Sequence, residues 1–151
     1  MSLERPIEAR QEWMGVLARA SREQLERCWH ETSTDAPFVE LKPPETGLVM
    51  VRARSGGNGP QFNMGEMTVT RCILRGPHGV LGHAYVAGRD HRHARLAAAF
   101  DALLQLPEHR AAIMDRVVSP LAAEQRRRRA ARWAAASRTK VEFLTVAREV
   151  G

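Results

Sequence analysis

The sequence predicts an α+β fold: a single domain over residues 1–151 in which an antiparallel β-meander is flanked by N-terminal and C-terminal helices. Three observations carry this reading. The middle of the chain holds alternating, β-branched segments. The tetrapeptide Gly76-Pro77-His78-Gly79 joins two of them with a hairpin-length connection. Both ends carry apolar residues at helical spacing behind capping or proline starts.

The elements follow in order. Pro6 can open a first helix, where its missing N–H would have no helical partner anyway. Ile7, Met14, Leu17 and Ala18 then share one side, with Trp13 beside them. Ser21 and Gln24 have capping-box spacing, which starts a second helix at Ser21 and carries it to about Glu31, with Leu25 and Cys28 or Trp29 inward. Thr32 to Pro37 reads as a loop. Phe38 to Lys42 is a short strand that Pro43-Pro44 is expected to stop, because proline cannot continue a central ladder. Gly47 to Arg54 is a strand with Val49, Val51 and Ala53 on one face and Leu48 and Met50 on the other. After the turn-rich Ser55-Gly56-Gly57-Asn58-Gly59-Pro60, strands are expected at Glu66–Arg75 and Val80–Ala87. Asp90 caps a helix from about His91 to Leu106, with Ala94, Ala97, Phe100 and Leu104 in register. Pro107 begins a short helix carrying Ile113, Met114, Val117 and Val118. Ser119-Pro120 starts a long Ala/Arg helix to about Ser137. Val141 to Val146 is rich in β-formers and reads as a last strand.

Composition bounds the function. With 44% hydrophobic and 26% charged residues the balance is that of a globular protein. No apolar run approaches the roughly 20 residues that span a bilayer, and Met1-Ser2-Leu3-Glu4-Arg5 lacks the apolar core of a secretory signal. A cytoplasmic protein is therefore expected. In that compartment Cys28 and Cys72 are read as free thiols, and the absence of CxxC spacing argues against structural zinc. A net charge of +6 suits anionic partners: nucleic acid, a phosphorylated small molecule, or an acidic face of another subunit.

The individual motifs weigh less. The loop Arg54-Ser55-Gly56-Gly57-Asn58-Gly59 invites a phosphate reading, since successive N–H groups can form an anion nest. A P-loop would continue with lysine, Ser or Thr and a helix, whereas Pro60-Gln61-Phe62 follows here, so a connecting loop is favoured. His91 and His93 diverge by about 200° on a helix and do not chelate together. A solvated helix start is favoured, with His93 and Arg89 as polar contacts to a partner. The run Arg126 to Arg129, with Arg132, surrounds its helix rather than forming a stripe. No helix-turn-helix, finger or RNA-recognition pattern accompanies it, so a solvated or partner-facing helix is favoured over nucleic-acid binding. Ser55, His83 and Asp90 could assemble only in space, with no nucleophile-elbow signature to support them. Trp13, Trp29 and Trp133 are candidates either for core packing or for interface anchors.

Several segments together resemble a known family. They are Arg10-Gln11-Glu12-Trp13-Met14, Glu45-Thr46-Gly47-Leu48-Val49, Arg54 through Gly57 and Gly59, Gly65-Glu66-Met67-Thr68-Val69-Thr70-Arg71, Leu81-Gly82, Gly88-Arg89-Asp90, His93-Ala94, and Ser137-Arg138 leading to Val141-Glu142-Phe143. In order and spacing they are similar to the PhnG family, the G subunit of the bacterial carbon–phosphorus lyase core complex. Glu66 departs mildly, standing where aspartate also occurs. The Arg126–Arg129 run and the His91-Arg92 pair lie outside the pattern. The resemblance implies a subunit that assembles with H, I and J proteins and works with the ATPase-like L protein. Together with H, I and L, the family supports replacement of the adenine of MgATP by a phosphonate, giving α-D-ribose 1-methylphosphonate 5-triphosphate. Chemistry is then expected in the I and J subunits. In this chain the resemblance implies no catalytic residue, no metal and no cofactor held alone. Membrane and nucleic acid are not the expected partners. Arg54, Gly56, Gly57, Gly59, Glu66, Arg71, Arg89, Asp90 and His93 remain as candidate anion or partner contacts, the arginines because a planar fork binds phosphate or carboxylate bidentately.

Overall fold

A computed structural model describes residues 4–32 and 34–149, with side chains described for residues 6–32 and 34–138. The order is α1 (Glu4–Arg19), α2 (Arg22–Thr32), β1 (Val39–Arg54), β2 (Gln61–Arg75), a 3-10 turn (Pro77–Gly79), β3 (Leu81–Ala87), α3 (His91–Leu104), α4 (Pro107–Ile113), a π-helical turn (Met114–Val118) and α5 (Ser119–Glu149). The expected antiparallel meander forms, in the order β1-β2-β3.

Helix α3 is the hub, because its alanines let it approach other elements closely. Ala98 and Ala102 lie directly on Gly82 of β3, where a Cβ would fall 1.9 Å from the Ala98 carbonyl oxygen. Leu17, Leu25, Leu74, Val86, Phe100, Leu103 and Leu104 are buried around this seam. Trp29 packs on it with ring centroids 5.2 Å from Phe100 and 5.9 Å from Phe38. The local starts behave as their residues dictate. Ser21 Oγ accepts the Gln24 N–H at 3.1 Å while Gln24 Oε1 accepts the Ser21 N–H at 2.9 Å. Asp90 Oδ1 accepts the His93 N–H at 3.0 Å and caps α3.

Four expectations are corrected. Pro43-Pro44 do not end a strand: β1 runs through them, and the two prolines oppose the single Cys72 as a bulge between the Lys42–Ile73 and Glu45–Arg71 pairs. An edge strand tolerates this, since a proline there need not donate to a neighbour. Strand β2 begins at Gln61 rather than Glu66, so β1 and β2 form a longer ribbon than expected. Ser119 is not a cap but helical (φ −63°, ψ −44°), its N–H reaching back to Met114 O. The wide π turn gives the N–H-less ring of Pro120 room without ending the helix. The expected last strand, Val141 to Val146, is part of α5. With no neighbouring strand among the described residues to pair with, a segment rich in β-formers satisfies its backbone groups locally, as helix.

Candidate functional site

The central site is built from the outer edge of β3. An edge strand exposes unpaired N–H and C=O groups, and here side chains from two helices cover them. Asp101 of α3, fully buried, accepts the His83 N–H through Oδ2 at 2.8 Å. The Leu81 carbonyl accepts from Gln105 Nε2 at 2.7 Å and from Arg10 Nη2 at 3.1 Å. Arg10 of α1 also donates Nε to Asp101 Oδ1 at 3.2 Å and Nη2 to Oδ2 at 2.8 Å. The Trp13 indole Nε1–H reaches the same Oδ1 at 2.8 Å. One carboxylate thus receives four donors from α1 and β3, which is what a buried charge requires. Arg110 of α4 sits over the Trp13 ring, 5.9 Å from its centroid.

An open cleft of about 620 Å³ lies above this network, walled by Ile7, Arg10 and Met14 of α1, His83 and Tyr85 of β3, and Arg110. Asp101 was not singled out from the sequence. The available signal was a lone acid inside the apolar run Ala97-Ala98-Ala99-Phe100-Asp101-Ala102-Leu103-Leu104.

The sequence candidates fall into three separate places. Arg54, Gly56, Gly57 and Gly59 lie at the exposed tip of the β1–β2 ribbon. Three amides of that tip are already spent inside it: Ser55 N–H on Pro60 O, Asn58 N–H on Gly56 O, and Gly59 N–H on Ser55 O. Glu66 is exposed halfway along the ribbon, paired across from Met50. Arg71 lies at the ribbon's base and donates Nε and Nη2 to Glu45 Oε2 at 3.2 and 3.0 Å. That guanidinium, with Lys42 beside it, holds the Glu45 carboxyl below its usual range, and Glu45 in turn raises Arg71.

Arg89, Asp90 and His93 form the third place, the β3–α3 corner. Arg89 is exposed, and Asp90 also faces Arg22 Nη1 at 3.8 Å. His93 is buried rather than solvated: its Nε2 lies 2.9 Å from the Leu17 carbonyl, and because a carbonyl only accepts, Nε2 carries the proton. At the same corner a relay of hydroxyls binds three elements. Thr70 Oγ1 donates to Gly88 O at 2.7 Å, so Thr46 must donate to Thr70 at 3.0 Å, and His91 Nε2 must donate to Thr46 at 3.1 Å.

Ser55, His83 and Asp90 are not assembled. Gln61, next to the tip, and Ile73, opposite His83, are separated by on the order of 40 Å along β2. Asp90 already serves as a cap. Among the described residues no group of three or more His, Cys, Asp or Glu could hold a metal ion, and no helix is long and apolar enough to cross a membrane.

The ribbon is the most unusual surface. Strand β3 ends its pairing at Ala87–Val69, and beyond it Leu48–Arg54 and Gln61–Thr68 pair only with each other, apart from the Gly88 N–H on Thr68 O. That leaves a two-stranded arm about 25 Å long, by the strand rise. Leu48 and Met50 are exposed on one face, Val49 and Met67 on the other. Met64 bulges out 66% exposed beside Gly65, whose φ of +151° glycine adopts readily. Of the tryptophans, Trp13 is buried, Trp29 half-buried and Trp133 70% exposed.

Comparison with known proteins places this geometry in context. Residues 8–149 match the family described as phosphonate metabolism protein PhnG. The chain is 43% identical over 145 residues to the alpha-D-ribose 1-methylphosphonate 5-triphosphate synthase subunit PhnG of Rhizobium meliloti (strain 1021), covering 94% of this chain and 90% of that protein.

Proposed function

Because the chain belongs to the PhnG family of phosphonate-metabolism proteins, we propose that it is the G subunit of an α-D-ribose 1-methylphosphonate 5-triphosphate synthase. In this reading it works with H, I and J subunits and an L protein. With H, I and L it supports transfer of the triphosphoribosyl group of MgATP to a phosphonate with release of adenine, J acting in a later step. This chain contributes surfaces and holds neither MgATP nor a metal by itself. A cytoplasmic site of action goes with it, since ATP is the substrate.

One observation carries the assembly role: the β1–β2 arm, apolar on both faces and unpaired on both long edges beyond β3. Isolated two-stranded ribbons are marginal in water, and contiguous exposed apolar surface of this kind marks a protein contact. A partner that covers the arm removes both costs. Nucleic-acid binding through Arg126–Arg132 is not favoured by the family membership.

The test is co-expression with H, I and J candidates, sizing of the product, and assay of adenine release from MgATP and methylphosphonate in the presence of L. Recovery of this chain in a stoichiometric complex, with release lost when it is omitted, is the expected result. A chain that stays monomeric beside assembled H, I and J would overturn the reading.

A further inference from the structure

Helix α5 leaves the body of the protein after its second turn. Leu121 is buried, and Gln125 is tied to α1, donating Nε2 to Val16 O at 2.9 Å and accepting from Arg19. From Arg126 through Arg138 every residue is exposed, about 20 Å of solvent-facing helix. It carries Arg126, Arg127, Arg128, Arg129, Arg132 and Arg138. Among the described residues only Arg128 has an acidic partner, Glu124 one turn earlier. The other large side chain on this stretch is Trp133, 70% exposed. Like charges one turn apart, such as Arg128 and Arg132, destabilise a helix, so this segment gains from an anionic surround.

We propose that this projecting helix docks in an acidic groove on another subunit of the same assembly, with Trp133 seated in an apolar pocket ringed by carboxylates. The inference rests on the reading of the chain as a complex subunit. A membrane surface fits poorly, because four consecutive arginines at 100° steps put charge on every side and leave no apolar face. Duplex nucleic acid would be met by one face of the helix, whereas charge on all sides matches a groove that walls it in. Arg and Trp are also the residues enriched at the energetic centres of protein interfaces.

The experiment uses the full chain and its co-expressed partner subunits. Two variants are compared with the parent: Arg126, Arg127, Arg129 and Arg132 all changed to Gln, and Trp133→Ala. All these residues are exposed, so thermal unfolding of the free chain is expected to stay unchanged. Binding to the remaining subunits should weaken at least tenfold in each variant. The parent's affinity should fall with salt, and the four-Gln variant's should respond much less. With 5-fluorotryptophan in this chain alone, the Trp133 fluorine resonance should shift on mixing. Parent-like affinity of both variants would overturn the proposal while leaving the assembly role intact. So would loss of duplex DNA binding with subunit binding retained. If the parent itself bound no subunit, both readings would fall together.

Discussion

The Trp13 indole donates to the Asp101 carboxylate across 88 positions of sequence, at 2.8 Å, inside the core. That bond, with those from Arg10 and the His83 amide, ties the first helix to the last strand and the central helix. Asp101→Asn tests what the charge contributes. Asparagine keeps one acceptor, but its NH2 would face the Arg10 and His83 donors, leaving a half-buried cation without its counter-charge. Breaking a buried pair costs about 3–5 kcal/mol, and Arg10 is 32% exposed, so the loss should be near the lower end, about 3 kcal/mol. Urea unfolding gives the value; a change under 1 kcal/mol would refute the account.

Gly82→Ala should also be damaging, although it adds a single methyl group. The new Cβ would lie 1.9 Å from Ala98 O and 2.9 Å from Ala102 Cβ, both on the hub helix. Backbone on backbone cannot yield by a rotamer change, so α3 must lift from the sheet. Overpacking of this kind costs about 1–3 kcal/mol or more. A melting temperature within 2 °C of the parent, about what 0.5 kcal/mol produces in a domain of this size, would contradict the packing described.

Replacing Ser21 by Ala removes half of the reciprocal bond with Gln24, and about 1 kcal/mol of stability should go with it. Circular dichroism melts of the variant would show the loss, and Ser21→Asp should restore most of it.

That contrast shows what was legible in the sequence. Ser21 with Gln24, Asp90 with the His93 amide, and Gly76 to Gly79 act over three or four residues, so the sequence contains both partners side by side. Pro43-Pro44 was misread because whether a strand is an edge depends on its neighbours, not on its own residues. Val141 to Val146 was misread for the same reason: β-propensity says nothing about whether a partner strand exists. Asp101 needed partners from residues 10, 13 and 83 together, and no local pattern announces such a meeting. The arm's apolar alternation was readable at Leu48 to Ala53, but not that neither face would find a core.

Burial pushes the Cys72 thiol up to about 11, with Glu40 adding to the effect, and Cys28 is raised by burial as well. Below about pH 8 both folded and unfolded chains keep the Cys72 proton, so it contributes no pH dependence there. Between pH 9 and about 11 the unfolded thiol ionises while the folded one does not. Stability therefore falls as pH rises through that window, by about 2–3 kcal/mol from this group. Denaturant unfolding of the parent and of Cys72→Ala at pH 8 and pH 10.5 isolates the effect as a difference of differences. Equal pH slopes in the two proteins would disprove it.

Changing Leu48, Met50 and Met64 together to Ser separates folding from assembly. In the free chain these side chains are exposed, Leu48 64% and Met64 66%, so little transfer energy is lost when they become polar. Unfolding free energy should move by less than about 0.5 kcal/mol, the range of surface substitutions. If the arm is covered in the complex, the same three changes remove apolar burial from an interface, where a few residues carry most of the binding energy. Affinity for the partner subunits should then drop at least tenfold. A variant that unfolds much more easily would mean the arm packs on the body of its own chain. A variant with parent-like stability and parent-like assembly would mean the exposed methionines and leucine serve no contact at all, and the case for the arm as the docking element would be lost.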